Sequence, residues 1–172
     1  MQVKNWLVSL FVICAFIVGD IGSGARAGAQ AEQALRIDIP VKLEKANVVF
    51  DVGHAVFVGD MPFVLGDLSL LANDFKDGNT QGQIIAIFHG DTAYIILTDA
   101  AYNKARHVAT GNPFAKLVAG LMSQGVQIEM CGATAKSNHW VNADLLPGVK
   151  VNTDAMARLT KLAQQGYSQI YE

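Results

Sequence analysis

The chain has 172 residues, a formal net charge of −2 and a composition that is 51% hydrophobic. Its 13 Lys and Arg stand against 15 Asp and Glu with no basic cluster, which excludes the electrostatic footprint of a nucleic-acid binder. The length fits one domain, large enough to bury a real core.

The N-terminus reads as an export signal. Lys4 gives a positive start, residues 6–18 are apolar apart from Ser9, and Ala25-Arg-Ala27 matches the small-residue cleavage pattern. The signal covers residues 1–27, with cleavage after Ala27 or Ala29, and implies a periplasmic protein. The apolar stretch falls short of the roughly 20 residues that a spanning helix needs. Retention as an uncleaved anchor is the alternative, and the export signal is the only membrane contact the sequence suggests. Residues 28–44 follow as an arm. Leu35, Ile37, Ile39, Val41 and Leu43 alternate with polar positions but Pro40 interrupts them, so the arm reads as extended or as an edge strand.

From residue 45 the chain alternates between strand and helix patterns. Residues 47–52, 83–88, 93–98 and 126–130 are short apolar, β-branched runs. Their continuous apolarity predicts strands covered on both faces, as in a parallel sheet. Residues 149–151 and 169–171 are weaker strand candidates. A helix is expected to open at Asp60-Met-Pro62, with Val64, Leu65, Leu68, Leu71, Ala72 and Phe75 on one face and Gly78 near its end. A second follows Asn112 as N-cap and Pro113 at the first helical position. There Phe114, Leu117, Val118, Leu121 and Met122 share a face, and Gly125 closes the helix. Met156, Leu159, Leu162 and Ala163 mark a third, stopped by Gly166. This order predicts a three-layer α/β/α domain with a mostly parallel sheet of about five strands over residues 45–172.

Two cysteines are present, and Cys14 lies in the signal. Export would leave Cys131 unpaired in an oxidising compartment, where a free thiol is a liability. Two readings follow. Cys131 is either a nucleophile or sulfur carrier, or a small buried hydrophobe at a strand end. Ligands gather beyond the C-terminal ends of strands in an open α/β sheet, and Cys131 and His89 both close strands. If residues 132–136 turn into a helix, its N-terminus and Lys136 both favour the thiolate. His89 is then a candidate for proton transfer and Lys136 for thiolate stabilisation; a loop hydrogen bond is the structural alternative for His89.

The other histidines carry less. His139 can fold back across the site, but beside Trp140 it reads rather as a packed surface residue. His54 and His107 have no partner at a recognisable spacing. No CxxC, HxxxH or HExxH occurs, so no metal or other cofactor is expected. No GxGxxG or GxxxxGK follows a strand of the body, and no GxSxG is present.

The residues around Cys131 resemble a known family. The run 126–135, Val-Gln-Ile-Glu-Met-Cys-Gly-Ala-Thr-Ala, preceded by a helix ending at Gly125, is similar to the cysteine segment of DsrE/DsrF-like proteins. Leu145-Leu-Pro-Gly-Val149 and a helix ending in Gln165-Gly-Tyr167 resemble the family's C-terminal end. Val48-Val-Phe50, Gly59-Asp60-Met-Pro62 and Phe88-His-Gly90 resemble earlier landmarks. The resemblance spans residues 45–172. It implies a compact α/β/α domain, small homo-oligomers, and sulfur oxidation or relay with the cysteine matching Cys131 carrying a persulfide. Two departures stand out: the best-understood sulfur-relay members are cytoplasmic, and some relatives have Arg-Gly near Asn138-His139. Several members lack the cysteine.

The sequence therefore predicts an exported sulfur-handling protein that binds or relays sulfane sulfur through Cys131. Its partners would be a sulfur donor or acceptor protein, or a small sulfur compound. The competing class is a non-catalytic periplasmic binding or assembly module in which Cys131 is structural. Whether there is enzymatic turnover is left open.

Overall fold

The computed structural model describes residues 35–172. The expected signal segment 1–27, with Cys14, lies outside the described residues, as does the start of the arm. No strand forms over residues 35–44, so the edge-strand alternative for that part of the arm does not hold. The domain below is the compact unit Val41–Glu172.

Its centre is a five-stranded sheet built from β1 (Lys45–Val52), β4 (Gln81–Phe88), β5 (Gln127–Cys131), β6 (Lys150–Asn152) and β7 (Ser168–Tyr171). The order is β6-β5-β4-β1-β7, and every neighbouring pair is parallel. Two residues each from β2 (Phe57–Val58) and β3 (Met61–Pro62) make a separate antiparallel hairpin. The helices are α1 (Phe63–Gly78), α2 (Asp99–Arg106), α3 (Ala115–Ser123), α4 (Gly132–Ser137) and α5 (Ala155–Gln164). The fold is α/β, with a parallel five-stranded sheet, as the alternation of strand and helix patterns predicts.

Side chains of each strand alternate between two faces. On one face Val48, Phe50, Val52, Ile84, Ala86, Phe88, Ile128 and Met130 pack with α1 and α3 into the larger core. On the other, Val49, Ile85, Ile87 and Cys131 meet Ala155, Leu159 and Leu162 of α5. Burial on both faces explains the continuous apolar runs.

Four local expectations are corrected. Residues 93–98 form no strand: Gly90–Ile96 is a 3-10 helix, and Thr98 caps α2 by accepting from Ala101 N–H. Gly90 at φ +53° turns the chain as soon as β4 ends, and the Thr92 hydroxyl donates to Val52 and His89 carbonyls. The segment is apolar because Ala93, Ile95, Ile96 and Leu97 are buried, a pattern that a strand and a buried helical turn share.

At α1, Met61 and Pro62 belong to the hairpin, and the helix opens at Phe63 with Pro62 as its N-cap. It ends at Gly78, as expected, with Asn79 as its C-cap in the left-handed region. Asn112 caps no helix, since α3 begins at Ala115. Its side chain accepts from Phe114 N–H and donates to the Ile95 and Leu97 carbonyls, pinning the 3-10 segment to the start of α3. In α5 the inward face is Ala155, Leu159 and Leu162, while Met156 is 60% exposed. Helix α2 was not anticipated, because its sequence is polar and short.

Candidate functional site

The parallel sheet brings the C-terminal ends of β1, β4 and β5 side by side. Phe88 pairs in register with Met130, so the next residues, His89 and Cys131, occupy neighbouring positions. Adjacent strands lie about 4.8 Å apart. Alternation turns both side chains to the α5 face, shared with Ile87 and with Asp51 of β1.

Cys131 is the last residue of β5 and the N-cap of α4, so the expected helix after it forms. Its Sγ accepts a hydrogen bond from the Ala155 N–H at 3.3 Å, and Ala155 opens α5. The sulfur thus lies where two helices start, and unpaired N–H groups at such starts favour electron-rich partners. The residue is only 5% exposed and packs among the apolar side chains under α5. Gly132 permits this arrangement: a Cβ there would stand 2.4 Å from the Asn152 carbonyl oxygen and 2.8 Å from that of Thr153.

His89 is held rather than free. Its Nε2 lies 2.6 Å from Asp51 Oδ1, and the Gln169 side-chain amide donates to Asp51 Oδ2 at 3.1 Å. Asp51 is 6% exposed, so the two donors replace the water its carboxylate has lost. The imidazole lies against the β1 backbone, where a Cβ on Gly53 would come within 2.6 Å of His89 Cε1. The next residue ties this loop to α4, since Gly90 N–H donates to Thr134 Oγ1 at 3.2 Å.

Two residues below Cys131, Glu129 is 3% exposed on the same face. It accepts from Arg158 of α5 through Nε at 3.1 and 3.0 Å and Nη2 at 2.7 Å, from Asn152 at 3.0 Å and from Gln127 at 2.6 Å. Burial works to raise the Glu129 pKa. The hydrogen bonds from Arg158, Asn152 and Gln127, with the Arg158 charge, outweigh it and hold the carboxyl below its usual value. The same bonds push the Arg158 guanidinium up. Arg158 follows Ala155 by three residues, so this ion pair fixes the turn of α5 whose N–H meets Cys131.

Lys136 is not brought to the sulfur by any ion pair or hydrogen bond. It is exposed in the last turn of α4, where its charge suits the helix C-terminus. It lines a cleft of about 490 Å³ with Gly132, Trp140, Asn152 and Thr153. A second cleft, about 360 Å³, includes Gly90, Tyr94, Arg106 and His139. Cys131 lines neither. His139 is exposed, His107 caps α2 in the left-handed region, and His54 Nδ1 lies 2.9 Å from the Tyr171 hydroxyl.

Asp51, Gln169, Glu129 and Arg158 were missed in the sequence. Asp51 and Glu129 did leave a signal, each being a charge inside an apolar strand run. A carboxylate buried on both sides must find donors.

The sequence model of the DsrE/DsrF-like family matches residues 47–171, from within β1 to the end of β7. The chain belongs to the DsrE/DsrF-like family. Among solved structures it is similar to the Methanobacterium thermoautotrophicum protein of unknown function MTH1491. The match has 20% identity and a TM-score of 0.58, covering 74% of this chain and 99% of that one. It is also similar to the Escherichia coli ychN protein, with 15% identity and a TM-score of 0.49 over 74% of this chain and 99% of that one. No curated protein matches the chain. The MTH1491 likeness supports the fold. Membership of a DsrE-like family points to a sulfur-related role.

Proposed function

We propose that this DsrE/DsrF-like chain is an exported sulfur-handling protein, in which Cys131 accepts and passes on sulfane sulfur as a persulfide. One observation carries the reading: Cys131 Sγ stands at a strand end, bonded by the Ala155 N–H, beside the position of an Asp51-bound histidine. An N–H aimed at a sulfur and an imidazole at the neighbouring strand end are what a sulfur nucleophile uses. The donor is a persulfide of a partner protein or of a small thiol. Its outer sulfur moves to Cys131, and the donor leaves as a thiol. The test is intact mass after incubation with polysulfide. Wild type gains about 32 Da per sulfur atom, and Cys131→Ser gains nothing.

A second reading has its own support. Cys131 is 5% exposed and packs in the smaller core, as a structural cysteine would. Under that reading the protein is a binding or assembly module. Alkylation separates the two: a carrier thiol reacts in the folded protein, whereas a structural one reacts only after denaturation.

Export rests on Lys4, the apolar stretch and Ala25-Arg-Ala27. N-terminal sequencing of protein from the native host should find a start near Gly28 or Gln30. Assembly into a homo-oligomer is supported by exposed Phe57, Met61, Phe63, Leu70 and Ile170 in a domain of this size. Light scattering of the mature chain at micromolar concentration should return more than one copy.

A further inference from the structure

We propose that the first turn of α5, Ala155–Arg158, is a gate over Cys131, and that the Glu129–Arg158 ion pair is its latch. This deepens the sulfur-carrier reading and rests on it: a carrier thiol must meet its donor, yet Cys131 is 5% exposed. Helix α5 covers it. The Ala155 N–H bonds Sγ at 3.3 Å, and Ala155, Leu159 and Leu162 close over Cys131, Ile85 and Ile87. The strand backbone lies behind the sulfur and α4 starts directly from Cys131, which leaves the start of α5 as the cover that can move.

Apolar packing holds this turn lightly. Its inward apolar side chain is the small Ala155, while Met156 is 60% exposed. Leu159 and Leu162, which seat the rest of the helix, come later in the chain. Upstream lies β6, three residues at the edge of the sheet. The polar contacts are strong by comparison. Arg158 donates to Glu129 through Nε at 3.1 and 3.0 Å and through Nη2 at 2.7 Å. Glu129 stands two residues before Cys131 on β5, so the latch ties the turn to the strand that carries the thiol.

The two partners differ in a way that suits release. The Glu129 side chain is 3% exposed and stays in the sheet, whereas that of Arg158 is 28% exposed, at a rim where water can take over the guanidinium as the turn lifts. Asn152, the register partner of Cys131 on β6, donates to Glu129 at 3.0 Å. Its Oδ1 is buried with no hydrogen-bond partner among the described residues. The closed state thus leaves one acceptor unmet by the protein, a cost that opening to water removes. The larger core, on the other face of the sheet, takes no part, so the opening is local rather than global.

The test follows two rates in the folded protein, alkylation of Cys131 by iodoacetamide and mass gain from polysulfide, for wild type, Arg158→Ala, Glu129→Gln and Val118→Ala. Wild type should be alkylated without denaturant, at a rate that low urea barely changes, since a local opening exposes little surface. Arg158→Ala should speed alkylation about a hundredfold, the scale of a broken buried ion pair, and polysulfide loading by a similar factor. Glu129→Gln leaves no buried charge behind and so keeps the fold; it should speed both about tenfold. Val118→Ala empties part of the opposite core and should stay within about twofold of wild type. The proposal is overturned if Arg158→Ala and Glu129→Gln react at the wild-type rate, if Val118→Ala speeds alkylation as much as they do, or if wild type reacts only in urea that unfolds the whole domain. Faster alkylation in both latch variants with no sulfur uptake by any of the proteins keeps the gate and sinks the carrier reading. Sulfur uptake at one rate in wild type and both latch variants keeps the carrier reading and sinks the gate.

Discussion

The two faces of the sheet are made from the same strands and do different things. Along β1, Val48, Phe50 and Val52 point to one side, and Val49 and Asp51 to the other. Along β4 the split is Ile84, Ala86 and Phe88 against Ile85, Ile87 and His89; along β5 it is Ile128 and Met130 against Glu129 and Cys131. The first face is apolar throughout and is covered by α1, α3 and the 3-10 segment. The second is covered by α5, and its apolar patch gives way to a buried aspartate, a buried glutamate, a histidine and the thiol. One face therefore supplies most of the burial free energy. The other spends part of its area on polar groups that need specific partners, and the candidate site lies among them.

Substitutions should separate the faces by size of effect. Phe88→Ala empties a fully buried site in the larger core and should cost about 4 kcal/mol, read from urea unfolding. On the opposite face Arg158→Ala leaves Glu129 buried without its cation and should cost about 3 kcal/mol. Adding Glu129→Gln to Arg158→Ala should recover part of that loss, because the stranded charge is gone. An apolar-face pair such as Phe88→Ala with Val48→Ala should show no such recovery.

The faces should also differ in acid. Glu129 has a folded pKa below its unfolded value, so its contribution is complete above the ordinary glutamate range and is lost as pH falls through the folded value. Unfolding free energy followed by denaturant titration from pH 7 downward should therefore fall less steeply in Glu129→Gln than in wild type. Phe88→Ala should shift the whole curve without changing its slope.

Two smaller effects sharpen the picture. Cys131→Ser keeps an acceptor for the Ala155 N–H and should cost about 1 kcal/mol while abolishing sulfur uptake. Met156→Ala, on the outer side of α5, should stay within about 0.5 kcal/mol, in contrast to about 3 kcal/mol for Leu159→Ala on its inner side.

Strands β1, β4 and β5 were legible because burial on both faces leaves an unbroken apolar run. The same logic misread residues 93–98, where equal apolarity comes from a 3-10 turn sunk into the larger core. Helix α2 went unseen because DAAYNKAR is short and mostly polar; only Thr98, Asp99 and the basic end at Lys104 and Arg106 mark it. At the site, the strand-end positions of Cys131 and His89 followed from the strand runs. Their partners did not. Asp51 reaches His89 across 38 residues, and Ala155 reaches Cys131 across 24, through a strand order that local sequence does not state. Lys136 looked close to the thiol by sequence distance, yet one turn of helix carries it to the solvent side.

The central claim is that Cys131 carries sulfur in the folded protein. It is tested most directly by intact mass of the native protein after polysulfide treatment, with and without a reductant, beside Cys131→Ser. Wild type should gain about 32 Da per sulfur atom, lose it on reduction, and the variant should gain nothing. Wild type that takes up no sulfur, and whose thiol is alkylated only after denaturation, would contradict the claim and leave Cys131 as part of the core under α5.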